Sequence, residues 1–112
     1  MLSIHSFTPS LNGEARSMEA GVLFDKFPTM ARELRELLID QGFRTALNEP
    51  YSGLMGLMSA AKRHGTAYGV IYLQLELRQD LMTSEHDAHQ VAARVARAIK
   101  GLGISRPRHP EL

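Results

Sequence analysis

Residues 69 to 81, Gly-Val-Ile-Tyr-Leu-Gln-Leu-Glu-Leu-Arg-Gln-Asp-Leu, constrain the fold of this chain more than any other stretch. Ile71, Leu73, Leu75 and Leu77 alternate with Tyr72, Gln74, Glu76 and Arg78. Side chains of an extended segment point to opposite sides with a period of two, so the stretch predicts a strand with one apolar and one polar face. The polar face carries an amide, a carboxylate and a guanidinium in a row. Such groups are costly to bury without partners, so they are either solvated or at work. A half-exposed antiparallel strand satisfies the pattern on its own. Helical periodicity on both sides of it argues instead for an α/β sheet with covered faces. In such sheets polar residues near a strand's carboxyl end line the ligand crevice, which makes Glu76 and Arg78 the leading site candidates.

A chain of 112 residues holds one domain at most, with room for a modest core. Its 13 basic and 12 acidic residues leave a net charge of +1, without the excess that a nucleic-acid or membrane-surface binder carries. Neither nucleic acid nor a membrane is an expected partner. The absence of cysteine excludes disulfides, thiolate nucleophiles and cysteine metal sites. No apolar run has the length of a membrane span and the amino terminus lacks a signal-peptide pattern, so the cytoplasm is the expected location.

In chain order, Met1 to Phe7 reads as a short strand broken at Thr8-Pro9. An opening in mid-strand suggests a domain that continues upstream. Ser10 to Ala20 is polar and aperiodic, and reads as a loop, and Gly21 to Asp25 as a buried strand. Pro28 opens a helical pattern with Met30, Leu34, Leu37 and Leu38 on one face, Gly42 just past its end, and Arg32 and Glu36 paired outside. Phe43 to Leu47 is an expected strand and Asn48 to Gly53 a loop. Leu54, Leu57, Met58 and Ala61 predict a helix that stops at His64-Gly65. After the central strand, Ser84 and Asp87 set up a capping box for a last helix, with Ala88, Val91, Ala92, Val95 and Ile99 inward and Gly101 and Gly103 as stops. The expected layout is a three-layer α/β/α mixed sheet over residues 1–104, with a flexible tail at 105–112.

Several residues admit a structural and a chemical reading. His5, just before the break of the opening strand, is a structural residue of the sheet edge or a ligand. His64 suits a helix C-terminus as a cation or a functional role. His86 and His89 are spaced to chelate from one helix face or simply to be solvated in a first turn. Tyr51 is a substrate contact or a turn residue over the core, and Asn48 caps its own turn. No Ser-His-Asp triad or phosphate-binding glycine fingerprint is present.

Four ordered blocks carry a resemblance: His5-Ser6-Phe7-Thr8-Pro9, Asn48-Glu49-Pro50-Tyr51-Ser52-Gly53, Arg63-His64-Gly65, and Leu75-Glu76-Leu77-Arg78-Gln79-Asp80-Leu81. Together they resemble the N-formylglutamate amidohydrolase family, itself similar to the zinc carboxypeptidases. The resemblance implies a phosphorylase/hydrolase-like, zinc-carboxypeptidase-like fold. The activity it implies is metal-dependent hydrolysis of an N-formyl or N-acyl amino acid, a small molecule. It further implies His5 as a metal ligand, zinc as the metal and Glu76 as the catalytic carboxylate activating water. Arg78, Asn48, Tyr51 and His64 are then substrate-binding residues. Family members are about twice as long by the same resemblance, so the chain matches a carboxyl-terminal half whose metal site lacks ligands. The alternative is a catalytically silent remnant serving as a binding or dimerisation module, and a homodimer through an open sheet edge is an expected assembly.

Overall fold

The computed structural model describes residues 2–11, 13–48 and 59–104. Its six strands are β1 (Leu2–Phe7), β2 (Ser10–Leu11), β3 (Glu14–Ala15), β4 (Ala20–Leu23), β5 (Thr45–Leu47) and β6 (Leu73–Arg78). Three helices, α1 (Pro28–Asp40), α2 (Ser59–Tyr68) and α3 (Glu85–Ile104), and a 3₁₀ turn (Gln79–Met82) complete the described elements. Four strands form one sheet in the order β1-β6-β4-β5. β6 runs parallel to β1 and antiparallel to β4, while β4 and β5 are parallel, so the sheet is mixed.

The alternating strand therefore lies in the interior of the sheet. Leu73 to Leu77 are all buried, which rules out a half-exposed strand with a solvated polar face. β6 is also shorter than the apolar alternation suggests, because residues 70 to 72 precede its ladder and Gln79–Met82 turn into the 3₁₀ segment.

The core is built where periodicity places it. Leu34 and Leu38 of α1 are fully buried with Val22, Leu23 and Leu75 of the sheet and Phe43 after the helix. These residues share one apolar cluster with Val91, Val95 and Ala98 of α3. Full burial of each such side chain contributes on the order of 2 kcal/mol, so this cluster is the main favourable term in folding.

Both ends of α1 show how local geometry is fixed. Pro28 occupies the first turn, and Phe27 before it adopts a left-handed backbone, φ 63° and ψ 52°, with no side-chain cap. A non-glycine residue holds that conformation only when its surroundings determine it. The Phe27 ring is buried and meets Tyr72 edge-on, with centroids 5.3 Å apart and planes at 84°. Gly42, at φ 92°, follows the helix as expected. On the outer face Glu36 pairs with its neighbour Arg35 at 3.2 Å.

Four expectations are corrected. Ser10 to Ala20 is not all loop, since Ser10–Leu11 and Glu14–Ala15 form a small antiparallel hairpin. α2 does not stop at Gly65 but runs to Tyr68, and the left-handed Gly69 ends it at φ 63°. Gly65 instead lies against the Tyr72 ring, where a Cβ would come within 2.5 Å of Cδ1. Likewise α3 continues through Gly101, where a Cβ would come within 2.8 Å of Leu37. Both glycines permit close packing instead of termination. The Ser84 cap forms as expected, the Asp87 N–H donating to Ser84 Oγ at 3.1 Å, but Asp87 Oδ2 accepts from Thr83 Oγ1 instead of closing the box on Ser84. The tail at 105–112 lies outside the described residues.

Candidate active site

Strand register builds the site. In the parallel β1–β6 ladder Ser3 pairs with Gln74, His5 with Glu76 and Phe7 with Arg78. Register partners stand on the same face of a sheet, on strands about 4.8 Å apart. The imidazole and the carboxylate therefore meet across neighbouring strands, although most of the chain lies between them in sequence. On the other side of Glu76 its antiparallel partner is Gly21, which is paired in turn with Ala46. The row across this face reads His5, Glu76, Gly21, Ala46, and no bulky side chain stands beside the carboxylate on the β4 side.

Burial and polarity are matched unequally in this row. Glu76 is only 4% exposed and Gln74 5%, whereas His5 is exposed on the edge strand. Gln74 Nε2–H donates to Glu76 Oε2 at 3.2 Å, and His5 Nε2 shares a hydrogen bond with Ser3 Oγ at 2.9 Å. Burial pushes the Glu76 carboxyl above its ordinary value, opposed by the Gln74 hydrogen bond and by the charge of His5. A carboxyl group that holds its proton more tightly in this way is suited to taking and returning a proton. Gln74 belongs to the polar row of the alternating stretch, but that spacing did not show that its amide holds the carboxylate.

Arg78 is on the same face of β6, and its guanidinium is occupied. Nη1 donates to the carbonyl oxygens of Arg16 at 2.7 Å and Met18 at 3.2 Å, and Nε to Asp80 Oδ1 at 2.6 Å. The Arg78 N–H donates to the Glu19 carbonyl at 2.9 Å. These bonds tie the end of β6 to the segment that enters β4.

Asn48 is placed elsewhere. It follows β5 at the edge of the sheet where β6 begins, away from the end of β6 that carries Glu76 and Arg78. Its left-handed backbone (φ 53°) lets Oδ1 accept from the Phe24 N–H at 2.9 Å while its own N–H donates to the Val22 carbonyl at 2.8 Å. His64 lies on α2, and Tyr51 lies outside the described residues. The described residues thus bring together His5, Glu76 and Arg78 of the expected set, and set Asn48 apart.

Zinc in a catalytic site ordinarily takes about three protein ligands and a water. Among the described residues no three His, Asp or Glu side chains come together as cation ligands. His5 is the imidazole beside Glu76, and these residues alone do not complete such a site. Among them, too, no helix is long and apolar enough to cross a membrane.

Comparison with known proteins bears on the fold and on the family. The chain is similar to a gene product of Agrobacterium tumefaciens of known crystal structure, with a TM-score of 0.72 and 23% identity. That match covers 90% of this chain and 42% of the other, so the chain spans less than half of its neighbour's length. No curated protein matches. A family model described as N-formylglutamate amidohydrolase matches residues 1–83, the part that contains β1, the paired His5 and Glu76, and Arg78. The chain belongs to the N-formylglutamate amidohydrolase family.

Proposed function

We propose that this chain carries the general-base half of an amidohydrolase site that cleaves the formamide or acylamide bond of an N-formyl or N-acyl amino acid. The observation that carries the reading is the cross-strand pair of His5 and the buried Glu76. Glu76 takes a proton from the attacking water and delivers it to the leaving nitrogen, so one carboxyl group serves both halves of the reaction. Gln74 fixes one oxygen of that carboxyl group. Arg78, Tyr51 and His64 are the residues proposed to face substrate; with Nη1 on backbone carbonyls and Nε on Asp80, Arg78 meets a substrate carboxylate in this reading through Nη2. If the family's zinc serves here, His5 is the ligand that the described residues offer beside Glu76, and the remaining ligands come from outside them. The three-layer, zinc-carboxypeptidase-like arrangement belongs to the same proposal, with the chain corresponding to the carboxyl-terminal part.

Release of formate from N-formylglutamate tests the reading. Glu76→Gln is expected to lower the rate by about 10² to 10⁴-fold without loss of the folded state, and an unchanged rate removes Glu76 from the mechanism. The second reading, a catalytically silent binding module, is favoured by the absence of three clustered ligands among the described residues. It predicts no formate release and a calorimetric zinc titration that His5→Ala does not alter.

A further inference from the structure

The end of β6 that carries Glu76 has a second arginine above it. In the β1–β6 ladder Phe7 and Arg78 stand one pleat beyond His5 and Glu76, on the same face of the sheet. The Arg16 guanidinium lies over the Phe7 ring, 5.5 Å from its centroid, and Nη1 donates to the Thr8 carbonyl at 3.1 Å. The backbone of Arg16 is held as firmly. Its N–H donates to the Pro9 carbonyl at 2.9 Å, and its own carbonyl accepts from Arg78 Nη1 at 2.7 Å. A long side chain between two exposed neighbours, Ala15 and Ser17, gives up rotamer freedom to be held at so many points. We propose that Arg16 is a substrate-reading residue, binding the side-chain carboxylate of an N-acyl acidic amino acid. The proposal rests on the amidohydrolase reading of Glu76.

Chemistry and reach carry it. A guanidinium has five N–H donors in a planar fork, so a ring face and one carbonyl fix its plane while an edge can meet a carboxylate bidentately. The buried Phe7 ring beneath it also keeps water from one side of the charge, which strengthens its attraction for an anion. Reach decides which carboxylate is met. Residues two apart on a strand are about 6.6 Å apart. In an N-acyl amino acid the carboxylate on the α-carbon is three bonds from the amide carbon, about 3.8 Å, whereas that of a glutamate side chain is five bonds away, about 6 Å. With the amide beside Glu76, the longer arm spans one pleat, to the level of the Phe7 ring and the guanidinium above it. Arg16 belongs to the polar, aperiodic segment after Pro9, where no spacing singles it out.

Titration of the chain with N-acetylglutamate and with N-acetylglutamine, followed by NMR amide shifts, tests the proposal without turnover. The two ligands differ only in the charge of the side chain. The acid is expected to bind at least about tenfold more tightly than the amide, and Arg16→Gln to bring the two within about twofold. Arg16→Lys keeps the charge without the fork and is expected to retain part of the preference. Far-UV circular dichroism checks that each variant is folded. In the native chain the Arg16 Nε–H signal is expected to shift with the acid and not with the amide, a readout that needs no variant. Equal affinity for the two ligands, binding of neither, or a preference that survives Arg16→Gln overturns the proposal. Glu76→Gln is expected to leave the preference in place. Loss of formate release with the preference intact, or the reverse, therefore tells the role of Glu76 apart from that of Arg16.

Discussion

At the scale of single residues, the site rests on a few hydrogen bonds whose loss has different signatures. Asn48 needs both its left-handed backbone and its Oδ1 acceptor. Asn48→Gly keeps the backbone and loses the acceptor, and is expected to cost about 1 kcal/mol, whereas Asn48→Ala adds backbone strain and is expected to cost about 2 kcal/mol or more in urea unfolding. Arg78→Lys separates tethering from recognition: loss of the carbonyl contacts is expected to lower stability by about 1 to 3 kcal/mol, and a change in KM alone indicates a substrate role. The candidacy of Glu76 was legible because alternation and strand-end position are local properties of sequence. The function of Arg78 as a clamp on the backbone of residues 16 to 18 was not, since its acceptors are carbonyls some sixty positions away and every residue has one.

At the scale of elements, the two helical glycines make a sharper test than the strands. A methyl group at Gly65 meets the Tyr72 ring, which is held by Phe27 and by donation of its hydroxyl to Asp25 at 2.9 Å. Gly65→Ala is therefore expected to destabilise by about 1 to 3 kcal/mol. At Gly101 the neighbour is the end of a flexible Leu37 side chain, and helix propensity gains about 1 kcal/mol, so Gly101→Ala is expected to be near neutral by thermal melting. Sequence alone reads both glycines as stops, because the rule that glycine ends helices cannot see what packs against them. It reads α1 and the capped start of α3 well, since caps and apolar spacing act within a few residues. The β2–β3 hairpin escaped notice because each of its strands is only two residues long.

Across the whole molecule, titration reports how α2 is held to the sheet. The Tyr72 hydroxyl is pushed up to about 12, chiefly by burial and then by its hydrogen bond and proximity to Asp25, which also pairs with Lys62 of α2 at 3.4 Å. A raised value in the folded state means that the folded chain holds the proton more tightly. Its stabilising contribution is complete below the unfolded value near 10 and is lost as pH rises toward 12. Unfolding free energy is expected to fall across that window and Tyr72→Phe to flatten the fall, measured by urea titration at several pH values. Glu76 acts in the same direction at lower pH: its raised carboxyl makes the fold less stable once it ionises, so Glu76→Gln is expected to raise the melting temperature more at neutral than at acidic pH.

The parallel pairing of β1 with β6 has a kinetic corollary. Two parallel strands cannot be joined by a tight turn, and here the connection takes in the hairpin, β4, α1, β5 and α2. Closing so long a loop is entropically slow, and such non-local pairings are made late as a chain collapses. The amino-terminal strand must wait on a nascent chain until β6 has been synthesised before the imidazole and the carboxylate become neighbours. Hydrogen-exchange labelling during refolding should therefore find the β1 amides protected after those of α1 and α3.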